Sequence, residues 1–109
     1  MNNLSFPTTK ELEKNKYISL KTFKRDNSSV LTTLWFAFND SSNKLFLTTA
    51  KKADKLKRIR NNNHVEFAFC SARGKTHSQY FAGSCRELSK NDSVKAHNLL
   101  KDKYGLLFI

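Results

Sequence analysis

The chain has 109 residues and a formal net charge of +11 at pH 7. This length predicts a single domain over residues 1–109, and the charge indicates affinity for anions such as phosphate esters, nucleic acid or anionic lipid. No apolar run approaches the ~20 residues that cross a bilayer, so we expect no membrane span. The first residues lack the basic and apolar regions of an export signal. We therefore expect a cytoplasmic protein with reduced thiols.

The first half of the sequence predicts a short helix followed by three strands. Thr8 and Glu11 have the spacing of a capping box, which predicts a helix start just after Pro7. Two polar turns then separate three segments rich in aromatic and β-branched residues, as in consecutive hairpins. The predicted strands are residues 16–24, 30–38 and 44–50. The second of them is apolar throughout, so we expect both of its faces to be covered.

The second half predicts a helix, two strands and a closing helix. Leu56 and Ile59 recur at helical spacing, and the next segment alternates apolar residues with others as a strand does. Gly83 predicts a bulge or bend in the last strand. The predicted elements are helix 53–61, strands 64–72 and 79–88, and helix 91–105. Tight turns between consecutive strands, with helices outside, predict a mainly β protein, a small antiparallel β-barrel with peripheral helices.

A dense run of positive charge occupies the helix between the third and fourth predicted strands. Its cations are Lys51, Lys52, Lys55, Lys57, Arg58 and Arg60. On a helical wheel Lys55 and Arg60 flank the apolar stripe, whereas Lys57 and Arg58 point away from it. Because this helix follows Thr48 and Thr49, their hydroxyls, free backbone N–H groups and a lysine would lie together, as at a phosphate site. A solvated helix face explains the charge pattern alone equally well.

Other kinds of chemical site find little support in the sequence. The three histidines and the two cysteines, Cys70 and Cys85, have no metal-ligand spacing. Both cysteines fall in predicted strands and are interpreted as small core residues. No Ser/His/Asp constellation or glycine-rich phosphate loop is present. We therefore expect neither a metal nor a dedicated catalytic residue.

Segments along nearly the whole chain resemble the pyridoxamine 5'-phosphate oxidase-like FMN-binding split barrels, most closely the small branch that uses the deazaflavin coenzyme F-420. The matching segments are KYISLKTFKRDNSSVLTTLWFAF, TTAKKADKLKRIRNN, FCSARGK, GSCREL and LLKDKYGLL. They follow the order and nearly the spacing of the family. The resemblance implies a six-stranded antiparallel split barrel that forms a homodimer with cofactor sites at the subunit interface.

The same resemblance implies where FMN or F-420 would bind. The phosphate of the cofactor would contact Thr48, Thr49 and Lys55, with Arg58 or Arg60 in support. The ring system would follow the second strand at Thr32, Thr33, Leu34 and Trp35. The sequence also departs from the family, since Ala53 and Asp54 replace a common serine and glycine. Relatives continue into a last strand where this sequence stops at Ile109, so we expect an open barrel edge unless a partner subunit covers it.

The function expected from this resemblance is hydride transfer between a bound flavin or deazaflavin and a small-molecule substrate. An alternative is a split-barrel protein that binds flavin or haem without turnover. A second alternative is a basic nucleic-acid-binding barrel, which would use the net charge of +11 but lacks a recognisable nucleic-acid-binding signature. Absorption spectra of the purified protein would separate the three.

Overall fold

The computed structural model describes residues 7–39, 44–47, 54–87, 91, 94–96 and 98–99. Its elements are α1 (Thr9–Lys14), β1 (Tyr17–Phe23), β2 (Ser29–Asn39), β3 (Lys44–Leu47), α2 (Asp54–Asn61), β4 (His64–Cys70) and β5 (Phe81–Ser84). Each element coincides with its predicted segment to within a residue or lies inside it. The described residues between 91 and 99 are helical, as predicted for that stretch. None of the helices described here has the length and apolarity to cross a membrane.

Helix α1 begins at the predicted capping box. The backbone N–H of Glu11 donates to Oγ1 of Thr8 at 3.2 Å, and the N–H of Thr8 donates to Oε1 of Glu11 at 3.0 Å. This reciprocal pair satisfies donors that a helix start leaves free. Leu12 on the same helix is fully buried and belongs to the main core.

The strands form an antiparallel sheet in the order β3-β2-β1-β4-β5. Strand β1 lies at its centre and pairs with β2 from Tyr17 opposite Trp35 to Phe23 opposite Ser29, and with β4 on its other side. Strand β3 joins the far edge of β2 only at residues 36–39, with Leu47 opposite Phe36. Within the described ranges, residues 29–34 of β2 therefore show strand pairing on the β1 side alone.

The two faces of this sheet are covered unequally. One face, here called the core face, carries alternate residues such as Ile18, Phe36 and Phe69, which pack with Leu12 and Ile59 of the helices. The opposite face is here called the outer face. It is partly covered, since three of its small residues are almost fully buried: Ser19, Ala68 and Cys70.

Two sequence expectations are wrong in detail. The second strand is buried at Phe36 and Ala37, but Leu31 is 57% exposed, and Thr33 is also exposed although the loop at Gly74 lies against its hydroxyl. Gly83 sits in an unbroken register opposite Val65, so the predicted bulge is absent. No heavy atom would lie within 4 Å of a Cβ at Gly83, so packing does not require glycine there.

Candidate functional site

Helix α2, which carries the basic run, packs over β1 on the core face. Ile59 is buried in the core, and Asn61 and Asn62 at the carboxyl end lie beside the β1–β2 turn. The amino end, with Asp54 and Lys55, therefore points away from that turn. At the end of β1 that is remote from this turn, β1 pairs with Leu34 and Trp35 of the predicted ring-binding segment.

Lys55 is the lysine predicted to bind a phosphate, and the structure describes its surroundings. Lys55 is the second residue of α2 and is half-buried. Within the described part of the chain it has no ion-pair or hydrogen-bond partner. Lys57 likewise has no such partner in those ranges, but it is exposed, as its predicted outward position requires. Thr48 and Thr49 lie outside the described residues, so their predicted contact with Lys55 stays a prediction.

Arg58 does not point into solvent as the helical wheel predicted. Its Nε donates a hydrogen bond of 2.7 Å to Oγ1 of Thr22 on β1. Thr22 is fully buried, and a buried hydroxyl requires a hydrogen-bond partner. The long arginine side chain can supply one because its aliphatic part runs along the protein surface. The wheel gives only the direction of the Cα–Cβ bond, and this long side chain folds back.

Arg60 is occupied by an acidic partner. Its Nε donates to Oε1 of Glu87, which follows β5. This hydrogen bond lowers the pKa of the Glu87 carboxyl and raises that of the Arg60 guanidinium. Of the two arginines predicted to support a phosphate, Arg60 is thus directed toward the segment after β5 and Arg58 toward β1.

The four predicted ring-contacting residues do not share one side-chain surface. Leu34 packs against the core, and Thr32 points to the same face by alternation along the strand. Thr33 and Trp35 lie on the outer face, where the Trp35 and Tyr17 ring centroids are 6.3 Å apart. What these four residues share is the backbone edge of β2 that faces away from β1.

A tight loop after β4 lies against Thr33. Gly74 has φ +89°, and a Cβ built there would come within 2.9 Å of the Thr33 Oγ1. The loop is closed by the N–H of Gly74 donating to the Ser71 carbonyl and by the N–H of Ser71 donating to the Lys75 carbonyl. No role was predicted for Gly74, although a lone glycine in a polar loop is a common sign of a positive φ.

A chain of polar contacts crosses the outer face beside this loop. The hydroxyls of Ser19 and Tyr80 lie 3.1 Å apart, and Nζ of Lys21 lies 4.2 Å from the Tyr80 ring centroid. Lys21 also pairs with Glu66 at 3.4 Å, and Glu66 lies 3.8 Å from Nε2 of His64. Apart from the His64–Glu66 contact within β4, no local spacing could have predicted these contacts, because they join three different segments. They attach the segment before β5 to the centre of the sheet.

The thiols and imidazoles have no arrangement suited to metal or nucleophile chemistry in the described ranges. Burial raises the pKa of both thiols, and at Cys70 the Thr33 hydroxyl opposes part of that rise. A neutral thiol is a poor nucleophile. The residues that the structure describes contain no cluster of three or more histidine, cysteine or acidic side chains that could hold a metal ion.

Comparison with known proteins identifies the fold. No protein-family model and no curated protein matches the chain. Among solved structures, it is similar to the conserved hypothetical protein Rv2991 from Mycobacterium tuberculosis, with a TM-score of 0.70 and 16% identity over 96% of this chain and 69% of that one. A candidate 5-nitroimidazole antibiotic resistance protein from Bacteroides thetaiotaomicron has a TM-score of 0.71 and 13% identity, over 97% and 76%.

A third similar structure is HutZ, described as the heme storage protein of Vibrio cholerae. It has a TM-score of 0.66 and 13% identity over 91% of this chain and 75% of HutZ. Similarities with sequence identities this low are evidence for the fold and not for the function. The chain has a mainly antiparallel split-barrel fold, as its sequence predicted.

Proposed function

We propose that this protein is a flavin- or deazaflavin-dependent oxidoreductase that binds FMN or F-420 at a homodimer interface and acts on a small-molecule substrate. The observation that carries this proposal is the partly exposed first part of β2, residues 29–34, for which the described residues show strand pairing with β1, together with the half-buried Lys55, which has no described partner. An unpaired strand edge offers backbone N–H donors, and the lysine offers a full positive charge.

The residues present are chemically suited to the phosphate of such a cofactor. Lys55 would pair with the phosphate at the amino end of α2, where backbone N–H groups are free, and Thr48 and Thr49 would add hydroxyl donors. Nε of Arg58 is committed to Thr22, which leaves its two terminal amino groups as donors. Arg60 would contribute to attraction at a distance, since its Nε already donates to Glu87.

The backbone of Thr32–Trp35 would orient the ring system. In an antiparallel pair alternate residues direct their N–H groups toward the neighbouring strand, so the remaining N–H groups of this segment point away from β1. The cofactor supplies the hydride chemistry, while the protein supplies position and hydrogen bonds. This division agrees with the raised thiol pKa values, which leave neither cysteine prepared for nucleophilic attack.

A second subunit would complete the site. Leu31 is 57% exposed on the outer face, beside exposed Thr33. A large apolar side chain on a strand with an open edge is the kind of surface that a second copy covers. Sedimentation at micromolar concentration should therefore show a dimer. The free thiols, one of them buried, agree with a reducing cytoplasmic location.

The test is reconstitution with FMN and with F-420, followed by titration of two lysine variants. Lys55→Ala should weaken cofactor binding roughly 10- to 100-fold, because a desolvated charge-assisted contact is worth about 1.5–3 kcal/mol. Lys57→Ala removes the same charge from an exposed position of the same helix, so its small effect should vanish in salt. Equal, fully salt-sensitive losses would instead indicate a diffuse basic surface and favour nucleic-acid binding.

The similarity to HutZ favours a second candidate, a haem-binding protein without turnover. His64 and His77 are exposed imidazoles that could approach a haem iron. A Soret band after mixing with haem, with no flavin or deazaflavin band after reconstitution, would select this candidate. His64→Ala and His77→Ala would then show which imidazole shifts that band.

A further inference from the structure

A polar cavity lies where the β1–β2 turn meets the carboxyl end of α2, at the opposite end of that helix from Lys55. Its volume is about 290 Å³. It is lined by Phe23, Lys24, Arg25, Asn27, Asn61 and Asn62. These residues provide two cations, three carboxamides and one aromatic ring, and no acid is among them. We propose that the cavity binds the phosphate group of a small phosphorylated molecule.

The turn that carries the two cations is held in one conformation. The N–H of Lys24 donates to the Ser28 carbonyl, and the N–H of Asn27 donates to the Lys24 carbonyl, both at 2.9 Å. Asn27 has a positive φ of 70°, which asparagine tolerates better than most residues. A ligand therefore does not have to order this turn, and that lowers the entropic cost of binding.

Asp26, the acidic residue of this turn, forms its hydrogen bonds with Ser28 of the same turn. Asp26 accepts hydrogen bonds from the N–H and the hydroxyl of Ser28 at 3.0 and 2.6 Å, and it does not line the cavity. Lys24 is close enough to lower the pKa of this carboxyl, although less than the Ser28 hydrogen bonds do. Arg25 has no acidic partner among the described residues, so it is the cation best placed to pair with a phosphate.

Asn62, which lines the cavity, has a side-chain donor that the described contacts leave unused. Its Oδ1 accepts the N–H of His64 at 3.1 Å, so its side-chain amino group is left to donate. The carboxyl end of α2 also contributes about half a negative charge to this region. Two full positive charges outweigh it, and they favour an anion over a cation.

The size of the cavity and its aromatic wall favour a ligand larger than inorganic phosphate. About 290 Å³ leaves room beside a phosphate group for a small ring. Phe23 stacks on His64 with ring centroids 5.5 Å apart and an interplanar angle of 24°. This contact fixes the Phe23 ring, and a fixed ring can pack against an apolar part of a ligand.

Phenyl phosphate is a suitable probe, because it joins a phosphate to one ring. In a titration followed by ¹H–¹⁵N NMR, phenyl phosphate should shift the signals of Asn27, Asn61 and Asn62, and these shifts should reach saturation. It should bind more tightly than inorganic phosphate and than phenol. Arg25→Ala should weaken phenyl phosphate binding roughly tenfold, because it removes one charge-assisted hydrogen bond. Lys57→Ala, which removes an exposed cation outside the cavity, should leave the affinity unchanged.

Several results would overturn the proposal. Equal losses in the two variants, or shifts spread over all basic segments, would mean non-specific attraction to a charged surface. Equal affinity for phenyl phosphate and phenol would exclude a phosphate site. Displacement by a short RNA that binds far more tightly through the same signals would assign the cavity to a nucleic acid. Arg25→Ala should retain FMN or F-420 binding and Lys55→Ala should retain phenyl phosphate binding, so this proposal and the proposed function can fail separately.

Discussion

The two halves of β2 have similar hydropathy but different surroundings. Residues 29–34 pair with β1, and the described residues show no second strand beside them; residues 36–39 pair with β3. Phe36 is fully buried and Leu31 is 57% exposed, although both are large apolar residues of the same strand. Burial along a strand therefore depends on which elements reach it, and an apolar residue that none of them reaches is available to a partner or a ligand.

The largest expected effect tests the buried half. Phe36→Ala should lower the free energy of unfolding by about 3–5 kcal/mol, because it removes a fully buried ring from the core and leaves a cavity. The Phe36 ring lies 6.0 Å from that of Phe69, so the loss extends to an aromatic pair. Urea unfolding followed by circular dichroism would measure the change.

Leu31→Ala is the matched variant in the exposed half. Measured below the concentration at which the chain associates, it should change the free energy of unfolding by no more than about 0.5 kcal/mol. At higher concentration it should weaken the proposed dimer, which sedimentation would detect. Equal destabilisation by the two variants in the monomer would contradict the difference between the halves of β2.

The next effect concerns the contact that fixes α2 onto β1 behind the exposed half. Thr22 lies opposite Val30 of β2, and Arg58 is the described partner of its buried hydroxyl. Arg58→Ala should destabilise the fold by about 1–3 kcal/mol, the range for leaving a buried polar group unsatisfied. Lys57→Ala is the control. In a Thr22→Val background, which lacks the buried hydroxyl, most of the destabilisation by Arg58→Ala should disappear. Full persistence of the loss in that background would contradict the assigned hydrogen bond.

A smaller effect should come from the loop that lies on Thr33. Gly74→Ala places a side chain at φ +89° and brings its Cβ to within 2.9 Å of the Thr33 hydroxyl. The Thr33 side chain can rotate its hydroxyl away, so most of the loss in stability should come from the strain of alanine at a positive φ. That strain should cost about 1–2 kcal/mol. Gly83→Ala is the control, since a Cβ there has open space. Combining Gly74→Ala with Thr33→Ala should recover only a minor part of the loss.

The sequence predicted the elements well and the contacts between them poorly. The capping box at Thr8 and the stripe at Ile59 are local patterns, and both are observed. The hydrogen bond from Arg58 to Thr22 and the pairing of Arg60 with Glu87 depend on tertiary placement, which periodicity does not encode. The resemblance to split barrels predicted the fold, whereas the division of Thr32–Trp35 between two faces follows from strand alternation and became clear only with the register.

The smallest effect concerns the turn that leads into the exposed half. Hydrogen bonds from the Ser28 side chain and backbone hold the pKa of Asp26 below its ordinary value of 3.8. Because the folded-state pKa is the lower one, the unfolded state takes up the proton first as the pH falls. The stability that Asp26 contributes is therefore complete above the unfolded-state pKa, and it is lost as the pH falls through the folded-state pKa.

Asp26→Asn removes this titration while keeping a side-chain oxygen that can accept from Ser28. The variant should be slightly less stable than the parent at about pH 7, and the difference should shrink as the pH falls from 3.8 through the folded-state pKa of Asp26. Urea unfolding across that range measures it, and NMR titration of the Asp26 carboxyl should give a pKa below 3.8. Glu13→Gln removes an exposed carboxylate that has no hydrogen-bond partner in the described ranges, so it should not reproduce this pattern. A difference that stays constant with pH would mean that the turn does not depend on the charge of Asp26, and that β2 begins at Ser29 through its backbone hydrogen bonds alone.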